Sequence, residues 1–534
     1  MSRTGRPATR CRNGVVASPH YLASLAGARM LLDGGNAIDA AVAANAVLTV
    51  VYPHNCSIGG DAFWLIALAG EAAPRALNGS GRSAARARLE WFQQQGLATL
   101  PRRGILSVSV PGTVASWAEA LERCGTLPLE RVLAPAIAYA YDGFPVSPSL
   151  ATALEAGAEL LAENAAAAAV FLPNGRPPRL GEVLRQPDLG RTLEAIARGG
   201  PGEFYHGGIA RAIAAASREL GGLLEEGDLA EHRSDWVEPI STTYRGLRVF
   251  SFPPPTQGVL AIGLLNVLEG FNLATLGQGS AEAIHLMVEA KKLVYRARER
   301  YLGDPSHVDV PVARLTSKAY AEELRRRIDP ERAQFPVDVL ESPGDTISLC
   351  AVDRWGNAVS LIQSLYSSFG SGVVVPGTGI LLQNRGACFT LTPGHPNCIA
   401  PRKRPFHTLI PAMAFQRERP WLVYGTMGGS LQPQVQAQVV TNVVDYGMDV
   451  QAALEAPRWS AGGLSHDDCS PVVFLEAPFP ERVVAGLERR GHSVERVPAW
   501  SEALGHAHAI RLHQDSGVLE AGADPRSDGA AIGW

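Results

Sequence analysis

"ESPGDTISLCAVDRWGNAVSLIQSLYSSFGSG", Glu341 to Gly372, contains two strand-like runs around a short turn. The turn "DRWGN", Asp353 to Asn357, offers Gly356 for a positive φ, so the pattern predicts a β-hairpin. With Trp355 at its centre, Thr346 falls opposite Ser364. A flexible Ser-Pro-Gly-Asp lead-in thus ends at a threonine that opens a strand and meets a second hydroxyl.

A threonine hydroxyl does not attack an amide unaided. A threonine at a chain N-terminus carries its own general base, an α-amine with an ordinary pKa of about 7.7–8.0. Thr346 is internal, so this chemistry requires scission between Asp345 and Thr346, most simply by the same hydroxyl attacking the Asp345 carbonyl. Read from spacing alone, Thr346 is a β-branched residue beginning a strand, and self-cleavage is not established.

The 534 residues suffice for several cores, and 46% hydrophobic with 19% charged residues is ordinary globular composition. A net charge of −4 gives no electrostatic case for nucleic acid or an anionic membrane. Seven scattered cysteines without a CxxC indicate neither a zinc site nor a disulfide framework and suit a reducing compartment. The basic start "MSRTGRPATRCRNG" has no apolar stretch behind it, and the longest apolar run, Ala40 to Tyr52, is too short to span a bilayer. A soluble, cytoplasmic protein is expected. There is no GxSxG, HExxH or phosphate-loop motif. His506 and His508 share a strand face as a metal pair does, but no third ligand is evident, so neither metal nor cofactor is expected.

The first 300 residues read as mainly helical. "SPHYLASLAGARMLLDGG" has a Ser-Pro start signal and a Gly-Gly stop, "NAIDAAVAANAVLTVVY" has Asn36 as N-cap, and "SAEAIHLMVEAKKLVYRARERY" is a long amphipathic helix. From Thr346 strand-like runs follow one another, among them "PAMAFQ" and "PWLVYGTMG", before helical "PQVQAQVVTNVVDYG" and "FPERVVAGLERRGH". The end, "HAHAIRLHQDSGVLEAGADPRSDGAAIGW", reads as a hairpin followed by a loop. A sheet flanked by helices makes a layered α/β or α+β domain.

The stretches "DGGNAIDAAVA", "SIGGDAFW", "VPGTVASW", "FPPPTQGV", "DRWGNAVS", "FGSGVVVPGTGILLQN", "RKRPFHTLIPAM", "GTMGGS" and "DPRSDG" occur in an order that resembles the γ-glutamyltranspeptidase family of N-terminal nucleophile hydrolases, over nearly the whole chain. The resemblance implies an α+β, four-layer αββα sandwich. It implies autocleavage into a large subunit, residues 1–345, and a small catalytic subunit, residues 346–534, intertwined in one core. Thr346 matches the nucleophile, Ser364 the hydroxyl that supports it, and Gly428 with Gly429 the oxyanion-hole amides. The implied partners are a small-molecule amide and the two subunits of one precursor, with a homo-oligomer of the processed heterodimer as a further option.

The departures from the family pattern lie in the substrate pocket. Cys388 stands where transpeptidases carry an acidic residue for the glutamyl α-amine, and Tyr366 replaces an asparagine. His407 and Thr408 replace paired serines, and Arg82 is displaced by two positions from the family's carboxylate-binding arginine. A pocket without that acid binds an ammonium poorly. The "LLQNRGACF" and "PFHTLIPAM" stretches are more similar to the oxamate amidohydrolase branch, which acts on small amides. Arg82, Tyr366, Arg385, His407 and Thr408 are therefore the expected substrate-binding residues. Two other readings stand beside this one: a γ-glutamyl hydrolase or transpeptidase acting on glutathione-like compounds, and an uncleaved binding or scaffold protein.

Overall fold

The computed structural model describes residues 5–334, 345–462 and 472–534. The lead-in residues Glu341 to Gly344 and Cys469 lie outside this set.

The Asp353 side chain builds the hairpin turn. Its Oδ1 accepts from the Trp355 and Asn357 amides at 2.9 and 3.0 Å, and its Oδ2 accepts from Asn357 Nδ2 at 2.7 Å. Gly356 supplies φ 94°. The strands Asp345–Asp353 and Ala358–Tyr366 then pair antiparallel with Thr346 opposite Ser364, the register expected from the turn, and an irregularity falls between Asp345 and Thr346.

This hairpin is the centre of a seven-stranded sheet. Its strands run Ala530–Gly533, Gly14–Ser18, Asp345–Asp353, Ala358–Tyr366, Asp61–Ala67, Arg75–Gly79 and Asp235–Val237. A second seven-stranded sheet runs Thr9–Cys11, Val518–Ala523, Ala507–His513, Arg419–Thr426, Ala412–Gln416, Leu247–Ser251 and Ile240–Tyr244. Residues from both, among them Phe63, Cys350, Ile362, Met413, Val423 and Ile510, bury a common core between the sheets. The outer face of the first sheet is covered by helices such as Tyr21–Leu32 and Ala37–Val51. The outer face of the second is covered by Gly258–Leu268, Ala281–Tyr301 and Gln432–Val444. This is the expected four-layer αββα sandwich. Both sheets take strands from before and after residue 345, so neither portion holds a complete core by itself.

The fully buried helix Ala37–Val51 shows how sequence sets an element. Asn36 accepts from the Ile38 and Asp39 amides while Asp39 accepts from the Asn36 amide at 2.7 Å, a capping box. The Ala37 amide donates to Asp353 Oδ2 at 3.0 Å, tying the helix start to the hairpin turn. Two details differ from the sequence reading. The first helix is capped by His20, whose Nδ1 accepts from the Leu22 amide at 3.2 Å, rather than started at Ser18-Pro19. The C-terminal "AAIG" is an edge strand rather than loop; small residues hide its alternation, and pairing with Gly14–Ser18 holds it.

Candidate active site

Thr346 and Ser364 face each other at the end of the hairpin, both fully buried in the intact chain. Thr346 Oγ1 donates to Ser364 Oγ at 3.1 Å, and Ser364 Oγ donates to the Asp345 carbonyl oxygen at 2.8 Å. The Tyr366 amide and Arg385 Nη2 also donate to Ser364 Oγ, at 2.7 and 3.1 Å. Three donors meet an oxygen with two acceptor sites, so the Thr346 contact is one of several that compete. Asn55 Nδ2 donates to the Thr346 carbonyl at 3.3 Å. The bond between Asp345 and Thr346 is thus held from both sides, with its carbonyl already polarised by a hydroxyl.

The side chains of Thr346, Ser348 and Cys350 alternate toward the second sheet. A Cβ built on Gly425 meets Ser348 Oγ at 2.3 Å, and Cys350 Sγ donates to His508 O at 3.5 Å. Following the strand Arg419–Thr426 beyond Gly425 leads to Gly428 and Gly429, with φ 124° and 53°. Among the described residues no acceptor takes the N–H of either glycine. The pair is held from behind: Gln257 Nε2 donates to Gly429 O at 2.8 Å and to Thr408 O at 2.9 Å. Tyr295 and Arg298 of the long helix fasten Ser430, at 2.8 Å to its carbonyl and 3.0 Å to its Oγ.

Arg385 joins the two halves. It is fully buried; Nη1 donates to Thr408 Oγ1 at 3.3 Å and to Cys388 Sγ at 3.7 Å, while Nη2 reaches Ser364. Its guanidinium lies 4.4 Å from the Tyr366 ring centroid. Tyr366 itself is held at φ 83°, a costly conformation for a residue with a large side chain. Among the described residues Arg385 makes no ion pair, although a buried cation ordinarily has one.

His407 is buried beside Arg385, with Nε2 3.1 Å from Asp61 Oδ2 and its ring edge-on to Phe63. Burial, and then the Arg385 charge, hold its pKa well below the ordinary imidazole value. Burial pushes Asp61 up to about 6, against hydrogen bonds from the Gly81 amide and Gln383. The His407 ring is thus held in its neutral form against the Asp61 carboxyl, a hydrogen-bonded contact rather than an ion pair.

Thr346, Ser364, Tyr366, Arg385, His407 and Thr408 therefore form one connected set, and Gly429 joins it through Gln257. Arg82 is placed elsewhere: its Nη2 lies 3.3 Å from Asp235 Oδ2, and it lines a surface cavity of about 250 Å³ with Asp228, Glu231 and Arg402. Asn55 and Asp61 were not singled out from sequence. For Asp61 a signal was present, a charged residue directly before the apolar run Ala62 to Leu68, whereas Asn55 sits among polar neighbours and carried none.

Among the described residues one cluster has metal-ligand chemistry: His285, Glu289 and His492, with ligand atoms within 4.8 Å of one another. Its atoms are already engaged. His285 Nδ1 is 2.7 Å from His492 Nε2, and the Lys292 ammonium donates to Glu289 at 2.6 Å, placing a cation against the carboxylate. His506 and His508 have ring centroids 5.8 Å apart and gather no third ligand among the described residues.

A sandwich of two sheets between helix layers, with a threonine near a strand start facing a hydroxyl, is the architecture of N-terminal nucleophile hydrolases. The family model described as gamma-glutamyltranspeptidase matches residues 23–534. The glutathione hydrolase-like YwrD proenzyme of Bacillus subtilis is 42% identical over 520 residues, covering 97% of this chain and 98% of that protein. The oxamate amidohydrolase proenzyme of Klebsiella pneumoniae is 40% identical over 531 residues, 98% of each. The crystal structure of cephalosporin acylase from Bacillus halodurans superposes with a TM-score of 0.93 at 40% identity, covering 100% of this chain and 98% of that one. The chain belongs to the gamma-glutamyltranspeptidase family, whose members are hydrolases and transferases acting on amides. Among the described residues no helix is long and apolar enough to cross a membrane.

Proposed function

We propose that the chain is a self-processing threonine amidohydrolase that opens a small, carboxylate-bearing amide of the oxamate type. The Thr346 hydroxyl attacks the Asp345 carbonyl, the peptide nitrogen is released as the Thr346 α-amine, and water clears the resulting ester. Residues 1–345 and 346–534 become large and small subunits. In turnover the new amine takes the Thr346 hydroxyl proton and Oγ adds to the substrate carbonyl. The Gly428 and Gly429 amides hold the oxyanion, the leaving amine takes a proton, and water hydrolyses the acyl-enzyme.

The observation that carries this reading is the contact set of Ser364 Oγ, which joins the Thr346 hydroxyl, the Asp345 carbonyl and Arg385 at one oxygen. Arg385 supports an anionic substrate, because a planar guanidinium that makes no direct ion pair among the described residues suits a carboxylate. Cys388 beside it, in place of an acid, leaves an ammonium without a partner there. The proenzyme names of the relatives support processing, and the Klebsiella relative supports an oxamate-like amide. The name of the Bacillus relative favours the second reading, a γ-glutamyl hydrolase or transferase.

Intact-mass analysis and N-terminal sequencing test the first half: two fragments, the smaller beginning at Thr346, and a single uncut species for Thr346→Ala. A lone 56.7 kDa chain in material that turns over substrate overturns the mechanism. Parallel assays of oxamate and a γ-glutamyl anilide test the second half. Turnover of the anilide alone replaces the substrate reading with the second one.

A further inference from the structure

The hairpin that carries Thr346 has a second end. Around its turn lies a cavity of about 340 Å³. The strand from Thr346 to Asp353 separates the two ends by roughly 24 Å, at about 3.4 Å per residue. The cavity floor is the end of the core between the sheets, where Leu519 is buried and Leu512 packs against the same cluster. Its wall comes from residues 69–71, 353–356, 419–420 and 512–519, and these segments are tied together. The Ala69 amide donates to Asn357 Oδ1 at 2.9 Å, and Gln514 Nε2 donates to the carbonyls of Gln416 and Arg419 at 2.9 and 3.3 Å. A wall fixed in this way before a ligand arrives lowers the cost of binding.

Arg12, Arg354 and Arg419 line this cavity, and all are exposed. Among the described residues none of their guanidiniums donates a hydrogen bond or makes an ion pair. The carboxylates of the same wall are already engaged. Glu71 pairs with Arg75, and Asp353 accepts from the Ala37, Trp355 and Asn357 amides and from Asn357 Nδ2. His513, also in the wall, has Nε2 3.5 Å from Glu520 Oε2. The cavity is thus a local excess of positive charge on a chain whose net charge is −4. Trp355 adds a flat apolar surface. It is 48% exposed, and the Arg354 guanidinium lies 4.5 Å from its ring centroid, so one face carries a cation and the remaining exposed surface is available for stacking.

We propose that this cavity binds a small aromatic phosphate of the nucleoside-monophosphate class, its ring against Trp355 and its phosphate among Arg12, Arg354 and Arg419. A phosphate monoester carries about −1.5 to −2 charges at neutral pH and three acceptor oxygens, which match several planar, bidentate donors better than a single carboxylate does. The volume sets the size. Ligand cavities usually span about 300–1,000 Å³, so 340 Å³ takes one ring system and one phosphate rather than a dinucleotide or a length of nucleic acid. The apolar floor of Leu512 and Leu519 suits a ring edge and gives nothing to a bare ion. The seat is separate from Ser364 and Arg385 and does not depend on the amidohydrolase reading.

Isothermal titration of the full chain with adenosine monophosphate, adenosine and inorganic phosphate tests the seat. We expect the monophosphate to bind at least about tenfold more tightly than either adenosine or phosphate, because only it makes both kinds of contact. The double variant Arg354→Gln, Arg419→Gln should lose about tenfold or more in affinity for the monophosphate, the scale of one charge-assisted contact. Trp355→Ala should lose about five- to a hundredfold, the scale of one stacked base, and Trp355→Phe should recover part of that. These side chains are exposed, so the variants should melt with the wild type, and the wild-type comparison of the three probes decides without any variant. No binding of the monophosphate at millimolar concentration overturns the proposal. Affinity unchanged in the arginine variant places the ligand elsewhere and overturns it too. Phosphate binding as tightly as the monophosphate reduces the cavity to a bare anion site, and binding of a hexaglutamate peptide in place of the monophosphate marks a protein-docking surface; either result overturns the aromatic-phosphate assignment.

Discussion

Ser364→Ala is the substitution that most directly tests the proposed self-cleavage. The serine oxygen donates to the Asp345 carbonyl at 2.8 Å, and its attraction for that oxygen grows as negative charge develops during attack. Loss of one such donor typically costs about 2.7–4 kcal/mol of transition-state stabilisation, roughly 10²–10³ in rate. The same oxygen accepts from the Tyr366 amide and Arg385, both buried, so alanine also orphans two donors at about 1–3 kcal/mol each. Self-cleavage of Ser364→Ala should therefore slow by roughly 10²–10³, with a lower melting temperature. Ser364→Thr keeps the oxygen and should restore both. The assay is the first-order appearance of the two fragments by intact mass after expression at low temperature, with Thr346→Ala as the uncut reference. Ser364→Ala cleaving at the wild-type rate while folded would refute the assignment of Ser364 as the donor to the scissile carbonyl.

Other substitutions separate the remaining contributions. Gly429→Ala adds a Cβ at φ 53°, and we expect turnover to drop while self-cleavage continues, because the Asp345 carbonyl is held by Ser364; equal loss of both activities would contradict this. Arg385→Met should raise KM for oxamate by about tenfold or more and leave little effect on a neutral amide of the same size, read from paired Michaelis curves. Arg526→Ala breaks a buried network, since Arg526 pairs with Glu476 and with Asp524 at 3.0 Å; about 3–5 kcal/mol of stability should be lost in urea unfolding. Asp524 is held down to about 2, because the Arg458 and Arg526 charges outweigh the burial that would raise it. A folded-state value below the unfolded one stabilises fully above about pH 4 and ceases to do so as pH falls toward 2, a contribution of roughly 2 kcal/mol. Unfolding midpoints measured across that range should fall with acid in the wild type and fall less in Asp524→Asn.

The hairpin register was legible because one aspartate and one glycine define the turn, and a period-two strand carries that decision to Thr346 and Ser364 without further information. The motif "DPRSDG" was legible as a family mark but not as chemistry: its Asp524 and Arg526 turn inward to a buried ion network with Glu476 and Arg458. Arg82 was already legible as displaced by two positions from the family's carboxylate-binding arginine, and in the fold its guanidinium lies 3.3 Å from Asp235. Asn55 could not be read from local pattern, because it contacts Thr346 at a separation of 291 positions and only the closing of the sandwich brings it there.

The precursor and the processed enzyme, on the proposed mechanism, place an oxyanion in different surroundings. In the intact chain the Asp345 carbonyl points at Ser364, while the Gly428 and Gly429 amides, on the far side of the Gln257 and Thr408 bridge, give their hydrogens to no described acceptor. A hydroxyl can serve the first reaction and then turn, because its rotor has one hydrogen and is free to re-aim. Backbone amides cannot turn, which suits them to a reaction repeated at every cycle, where fixed dipoles cost no reorganisation. The two reactions share Thr346 as nucleophile but not their electrophilic support. Substitutions at Ser364 should therefore fall mainly on processing and substitutions at the glycine pair on turnover. A set of variants in which both activities decline in constant proportion would show that a single oxyanion site serves both.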